Sequence, residues 1–156
     1  MSIKADLDKT DWKILNELQN NGRMTNIELS AKIGISAPPC LRRVRRLEKN
    51  GIIKGYRALL DGKMLGQELS AVCFVGLHHQ AEADLKAFSQ LVNGWPFVRK
   101  AWIVSGESDF FLYCLAPDLN SFQTFVIEEL TAAPNVDSIR TALTIRSVKD
   151  EALWVL

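Results

Sequence analysis

Between Ser36 and Arg57 the chain carries Arg42, Arg43, Arg45, Arg46, Lys49, Lys54 and Arg57 against a single acid, Glu48. A guanidinium is a planar fork that can take the edge of a guanine at two points or clamp a phosphate, so arginines at this density suit a polyanion. The formal net charge of the chain is only +1, because this segment's local excess of six positive charges is set against a net −5 elsewhere. Such asymmetry draws nucleic acid to one face and repels it from the rest. An isolated run of arginines can equally serve to solvate an exposed helix, so the reading depends on the elements that position it.

At about 100° per residue, Cys40, Leu41, Val44 and Leu47 fall on one arc of roughly 120°, and Arg42, Arg43, Arg45 and Arg46 fill the other side. Pro38 and Pro39 fit the first turn of that helix, where an amide hydrogen has no intrahelical partner to lose. In front of it, Gly34-Ile35-Ser36 reads as a short turn, with glycine ending one helix and Ser36 placed to cap the next. Thr25 followed by Glu28 has the spacing of a capping box, and Ile27, Leu29 and Ile33 supply the apolar face of that preceding helix. Asp8 can cap an earlier helix with Trp12, Ile14, Leu15 and Leu18 at helical spacing, stopped near Asn20-Asn21-Gly22. Asn50-Gly51 ends the arginine helix, and residues 52 to 60 read as a strand turning at Gly55, a wing beside it.

Helix, tight turn and helix make a helix-turn-helix, whose second helix lies in the major groove of double-stranded DNA. That geometry points Ser36, Ala37, Pro38 and Pro39 at the helix start, and Arg42, Arg43, Arg45 and Arg46 along it, toward DNA. Arg42 and Arg43 are expected nearest the bases, although sequence alone does not say which arginine reads a base and which holds a phosphate. Lys54 and Arg57 on the wing are placed for phosphates, whereas Tyr56 reads equally as a wing contact or as a half-buried support.

Beyond a polar connector the character of the chain changes. Residues 69 to 77 form a dense apolar run of strand length, followed by a helical stripe of Leu85, Phe88, Leu91 and Val92. Residues 97 to 105 and 110 to 116 read as strands joined through Gly106 to Asp109. Leu119, Phe122, Val126 and Leu130 make a second helical stripe that Pro134 stops, and residues 139 to 147 alternate as a last strand. The order βαββαβ is a ferredoxin-like split unit. We therefore expect an α+β chain: a winged helix-turn-helix over residues 1–60, a linker over 61–68, and a ferredoxin-like domain over 69–156.

The remaining candidates are weaker. Cys40, Cys73 and Cys114 are odd in number, far apart and set among apolar neighbours, which suits reduced core thiols better than a disulfide framework or a zinc site. His78 and His79 are adjacent on a strand and point to opposite faces, so one metal cannot easily take both. Phe88, Trp95, Phe97 and Trp102 read as core or as a contact between subunits. No metal or other cofactor is expected. No apolar stretch approaches the roughly 18 residues that span a bilayer, and residues 1 to 11 are charged rather than signal-like, which points to the cytoplasm and away from a membrane partner.

Four segments then carry a family resemblance: Leu7-Asp8-Lys9-Thr10-Asp11-Trp12-Lys13-Ile14-Leu15, Thr25-Asn26-Ile27-Glu28-Leu29-Ser30, Arg43-Val44-Arg45-Arg46-Leu47-Glu48-Lys49-Asn50-Gly51-Ile52-Ile53 and Gly106-Glu107-Ser108-Asp109-Phe110. In this order and spacing the chain resembles the Lrp/AsnC family of feast/famine transcription regulators along nearly its whole length. The resemblance implies a DNA-binding head, a ligand-binding domain of the RAM type, dimers built through that domain and an octamer of four dimers. It also implies a small effector, an amino acid, bound between subunits, with Gly106 allowing close approach, Asp109 pairing with an ammonium group and Thr141 or Thr144 offering hydroxyls. Ser108 departs from the aromatic residue common at its position in the family. Sirohaem decarboxylases resemble the same architecture, and an effector-independent architectural protein would too, but the arginine-rich helix favours a regulator over an enzyme.

Overall fold

The structure is a computed structural model, and it describes residues 6 to 149. An amino-terminal unit ends at Leu59, and a second unit spans Leu60–Val148.

Three helices build the first unit: α1, Lys9–Asn20; α2, Asn26–Ile33; and α3, Ala37–Lys49. Both expected caps form reciprocally. The Asp8 carboxylate accepts from the Thr10 and Asp11 amides at 2.9 Å, while the Asp11 carboxylate takes the Asp8 amide. Thr25 and Glu28 exchange the equivalent pair at the start of α2. Gly34 ends α2 at φ +82°, a left-handed conformation that costs a glycine little. Ile14, Leu29, Cys40 and Leu47 are fully buried together, with Leu18, Ile33, Val44, Ile52 and Ile53 packed round them. Burying a side chain of the Leu or Ile class contributes about 1.5–3 kcal/mol, which is what holds three short helices in place.

Four sequence expectations need correction here, the first being Ile27, which is placed on the apolar face of α2 by its spacing but is exposed. Ser36 occupies the N-cap of α3, but its hydroxyl makes no capping hydrogen bond. The amides a cap would satisfy belong to the second and third helical residues, and those are Pro38 and Pro39. Leu41 is exposed rather than docked, because it lies about 100° from Cys40 on the helix, whereas Arg43 lies about 60° away on the other flank. Residues 52–60 form no strand; among the described residues this unit has none. Their first amides are used to close α3: Ile52 and Ile53 both donate to the Leu47 carbonyl and Gly51 to Glu48, with Gly51 left-handed at φ +70°. That is a Schellman closure, and the chain runs on from it without a ladder partner.

The second unit runs β1, Leu69–Leu77; α4, Glu82–Gly94; β2, Val98–Ile103; β3, Phe110–Ala116; α5, Leu119–Thr124; and β4, Val136–Leu143. This is the expected βαββαβ order. The sheet is antiparallel with strand order β2-β3-β1-β4. Helix α5 continues as a π-helical segment, Phe125–Leu130, closed where the amide and hydroxyl of Thr131 both donate to the Val126 carbonyl.

Alternation on the central strands decides the core. Ala71, Cys73, Val75 and Leu77 of β1, with Phe110, Leu112, Cys114 and Ala116 of β3, are buried together with Phe88, Val92, Phe122, Phe125 and Leu130 from the helices. The other face carries a row that crosses all four strands, in which Arg140 lies over the Phe74 ring at 4.7 Å, Phe74 meets Phe111 at 5.4 Å, and Phe111 meets Trp102 at 5.3 Å. Thus Phe88, Trp95 and Phe97 belong to the core cluster, while Trp102 belongs to the open face and is 47% exposed.

Two strand boundaries differ from expectation. Strand β2 spans Val98–Ile103 rather than 97 to 105, and β4 spans Val136–Leu143 rather than 139 to 147. The last β4 bond is from the Thr144 amide to the Ser70 carbonyl, next to the first residue of β1, so the alternating residues beyond it have no strand to join.

Candidate nucleic-acid interface and ligand domain

The four arginines of α3 are not equivalent. Arg43 places Nη1 2.6 Å from Asp8 Oδ2 and 2.9 Å from Asp11 Oδ1, and Arg46 donates from Nη2 to Asp11 Oδ2. Asp11 has no exposed surface, so both of its oxygens are satisfied inside the unit. Arg42 and Arg45 are exposed and make no ion pair among the described residues. The helix wheel explains the division: Arg43 and Arg46 lie on the flank facing α1, while Arg42 and Arg45 point away from Cys40. The Asp11 amide, and then the Arg43 guanidinium, hold the Asp8 carboxyl below its usual range, and the two aspartates in turn raise the pKa of Arg43.

Around the start of α3, the Asn26 side-chain amide donates to the Ala37 carbonyl at 2.8 Å and ties the start of one helix to the start of the next. Pro38 and Pro39 leave the Ser36 hydroxyl without a local donor to accept from. Past α3, Lys54 and Arg57 are exposed. Tyr56 supports this segment: its hydroxyl donates to Glu48 Oε1 at 3.0 Å, and its ring lies so close to Gly22 that an added Cβ would meet it at 3.1 Å. Burial, followed by the Glu48 carboxylate, pushes the phenol up to about 12.

In the second unit, Gly106 turns at φ +127° between β2 and β3. Asp109 follows and is a structural hub, with its Oδ2 accepting the Leu77 amide at 2.7 Å and its own amide donating to Val75 at 2.9 Å. Ser108 and Asp109 are half-buried. Thr141 and Thr144 are not beside them. Thr141 is opposite Cys73 in the ladder and Thr144 bonds Ser70, at the far end of β1 from the Asp109 contacts. At ~3.4 Å per residue, Thr144 and Asp109 are separated by roughly 20 Å along β1, with that strand between them. A single chain therefore does not bring the loop and the threonines into one site. At the loop's end of the sheet, His78 Nδ1 faces Asp137 Oδ1 at 3.1 Å on the surface.

Comparison with known proteins adds the deciding observation. Residues 7–54 match the model of a winged helix-turn-helix DNA-binding domain, and residues 70–154 match the Lrp/AsnC ligand binding domain. The chain belongs to the Lrp/AsnC family. A leucine-responsive regulatory protein of Rhizobium meliloti is 62% identical over 96% of this chain and 96% of its own length. That of Escherichia coli is 38% identical over 97% and 92%. A transcriptional regulator from Neisseria meningitidis, solved as its L-Met complex, superposes with a TM-score of 0.89 at 36% identity over 94% of both chains. An AsnC family regulator from Agrobacterium tumefaciens gives 0.90 at 26% identity, covering 96% of this chain and 97% of that one. This Lrp/AsnC chain is thus a DNA-binding transcription regulator with a ligand-binding domain. No helix among its described residues is long and apolar enough to cross a membrane.

Two contributors to the DNA-binding unit of this Lrp/AsnC regulator escaped the sequence reading. Asp8 was legible as a cap, but its and Asp11's bonds to Arg43 and Arg46 join residues 32 to 35 positions apart, which periodicity does not reveal. Asn26 sits next to a capping box and reads as an ordinary first-turn residue. The one signal available was the excess of acid in Asp6, Asp8 and Asp11, at and just before the start of a first helix with an apolar stripe.

Proposed function

We propose that this regulator inserts α3 into the major groove of double-stranded DNA and that an amino acid bound to its second domain alters how the heads engage successive half-sites. The DNA surface is the start of α3, Ser36, Ala37, Pro38 and Pro39, with Arg42, Arg43, Arg45 and Arg46 along the helix and Lys54 and Arg57 beside it on phosphates. The observation that carries this reading is the amphipathic arginine helix itself, seated by a capped partner helix and a tight left-handed turn at Gly34.

The effector is an amino acid with an aliphatic or thioether side chain. The relatives named leucine-responsive and the Neisseria neighbour with L-Met support that class. Gly106, Ser108 and Asp109 form one half of the site, and Asp109 keeps one carboxylate oxygen for an ammonium group while the other holds β1. Thr141 and Thr144 join the site from another subunit, a reading that their separation from the loop within one chain supports. Residues 1–60 are the DNA-binding domain, 61–68 the linker, and 69–156 the effector and oligomerisation domain. The open aromatic face of the sheet is the dimer contact, dimers close into an octamer, and the assembly works in the cytoplasm. An effector with higher affinity for one arrangement shifts the population toward it, which is all that control requires.

Mobility shift of the DNA upstream of the protein's own gene, titrated with leucine and with methionine, tests the proposal. A complex whose mobility or midpoint one of them changes supports it. A DNA complex indifferent to every amino acid removes the effector half, and no complex at all removes the DNA half.

A further inference from the structure

Resting on the DNA-binding reading of α3, we propose that Asp11 and Asp8 act as positioning residues that divide the four arginines of α3 into an internally paired set, Arg43 and Arg46, and a free set, Arg42 and Arg45, the two of the four whose charge reaches DNA uncompensated.

Asp11 is fully buried, and an unpaired carboxylate in that position would be strongly unfavourable, so its arginine partners are a condition of the fold. Arg43 spends one nitrogen on both aspartates, at 2.6 and 2.9 Å, and retains 29% side-chain exposure. Arg46 is half exposed and bonds the other Asp11 oxygen. Two guanidinium groups against two carboxylates form an electrically neutral cluster bridging the start of α1 and the middle of α3. The cluster fixes the rotation of α3 about its own axis, because both paired arginines lie on one flank. That rotation turns Arg42, Arg45 and Lys49 outward together with Pro38. The six-charge excess of the basic segment therefore overstates what the groove sees.

A division of this kind predicts how binding responds to salt. Each phosphate neutralised releases counterions and steepens the dependence of log K on log salt by about one unit. The measurement is that slope, for the full chain on its own upstream DNA and on an unrelated duplex, by fluorescence anisotropy. Arg42→Ala and Arg45→Ala should each flatten the slope by about one, and Arg43→Ala by far less. Asp8→Asn keeps a good capping residue but removes one charge from Arg43, so it should steepen the slope and narrow the gap between the two duplexes. Asp11→Asn should do so more strongly, and because burial puts its folding at risk, Asp8→Asn is the deciding variant, with a melting curve confirming that it folds. A merely structural role for the aspartates would lower affinity without changing the slope.

Equal flattening by all four arginines, or an Asp8→Asn slope identical to that of the unmodified protein, would overturn the division while leaving the DNA reading intact. An unmodified protein that binds neither duplex would overturn the DNA reading itself.

Discussion

The side-chain amide of Asn26 lies 2.8 Å from the carbonyl oxygen of Ala37 and donates to it. This bond ties the starts of the two helices of the motif at a place where the neighbouring Ile27 is 75% exposed and adds little packing. Asn26→Asp replaces the donor with an acceptor facing a carbonyl, and should cost about 1–3 kcal/mol. Urea unfolding measures the loss, and specific DNA binding should weaken with it.

Gly34 has nothing within 4 Å of a would-be Cβ, yet it holds φ +82°. Gly34→Ala should therefore destabilise through the backbone alone, by about 1 kcal/mol. A chemical denaturation midpoint that moves by that amount, with unchanged helical signal, is the expected result.

Tyr56 gives a pH prediction. Its folded phenol is pushed up to about 12 from an ordinary 10, by burial and then by Glu48. The stability linked to it is complete below pH 10 and is lost as pH rises through 12. Spectrophotometric titration of the phenolate should find one of the two tyrosines late, and Tyr56→Phe should remove that late step while costing about 1 kcal/mol for the Glu48 hydrogen bond.

Asp109 has two separable roles. Asp109→Ala leaves the Leu77 amide unsatisfied and should destabilise the sheet unit by about 1–3 kcal/mol. Asp109→Asn keeps an oxygen for that amide but no charge for an ammonium group, so it should retain stability and lose the amino-acid response. Thermal melting and an effector titration on both variants distinguish the roles.

Local chemistry explains why most of the fold could be read in advance. Asp8, Thr25, Glu28, Gly34 and Asn50-Gly51 act within a few residues of themselves, and the alternation of β1 and β3 reports a face covered by helices. Residues 52–60 form no strand, although Ile52 and Ile53 have strand-forming side chains, because their amides close the preceding helix. The last strand ends sooner than its pattern because alternation continues through Ile145 while the ladder with β1 stops at Ala71 and Leu143. In the candidate DNA surface, residue type gave the arginines, while their separation into paired and free came from Asp11, which lies outside the basic segment. In the ligand domain, the order β2-β3-β1-β4 puts β1 between the loop and the strand of Thr141 and Thr144, a separation that residue type and spacing do not reveal.

Effector-responsive DNA binding is decided by protection footprinting of the full chain on its own upstream DNA, at two salt concentrations and with and without amino acids. The expected result is salt-sensitive protection spaced by about one or more helical turns of 10–10.5 base pairs, with a pattern that an aliphatic or thioether amino acid changes. Uniform cleavage at both salt concentrations, unaffected by any amino acid, would contradict it.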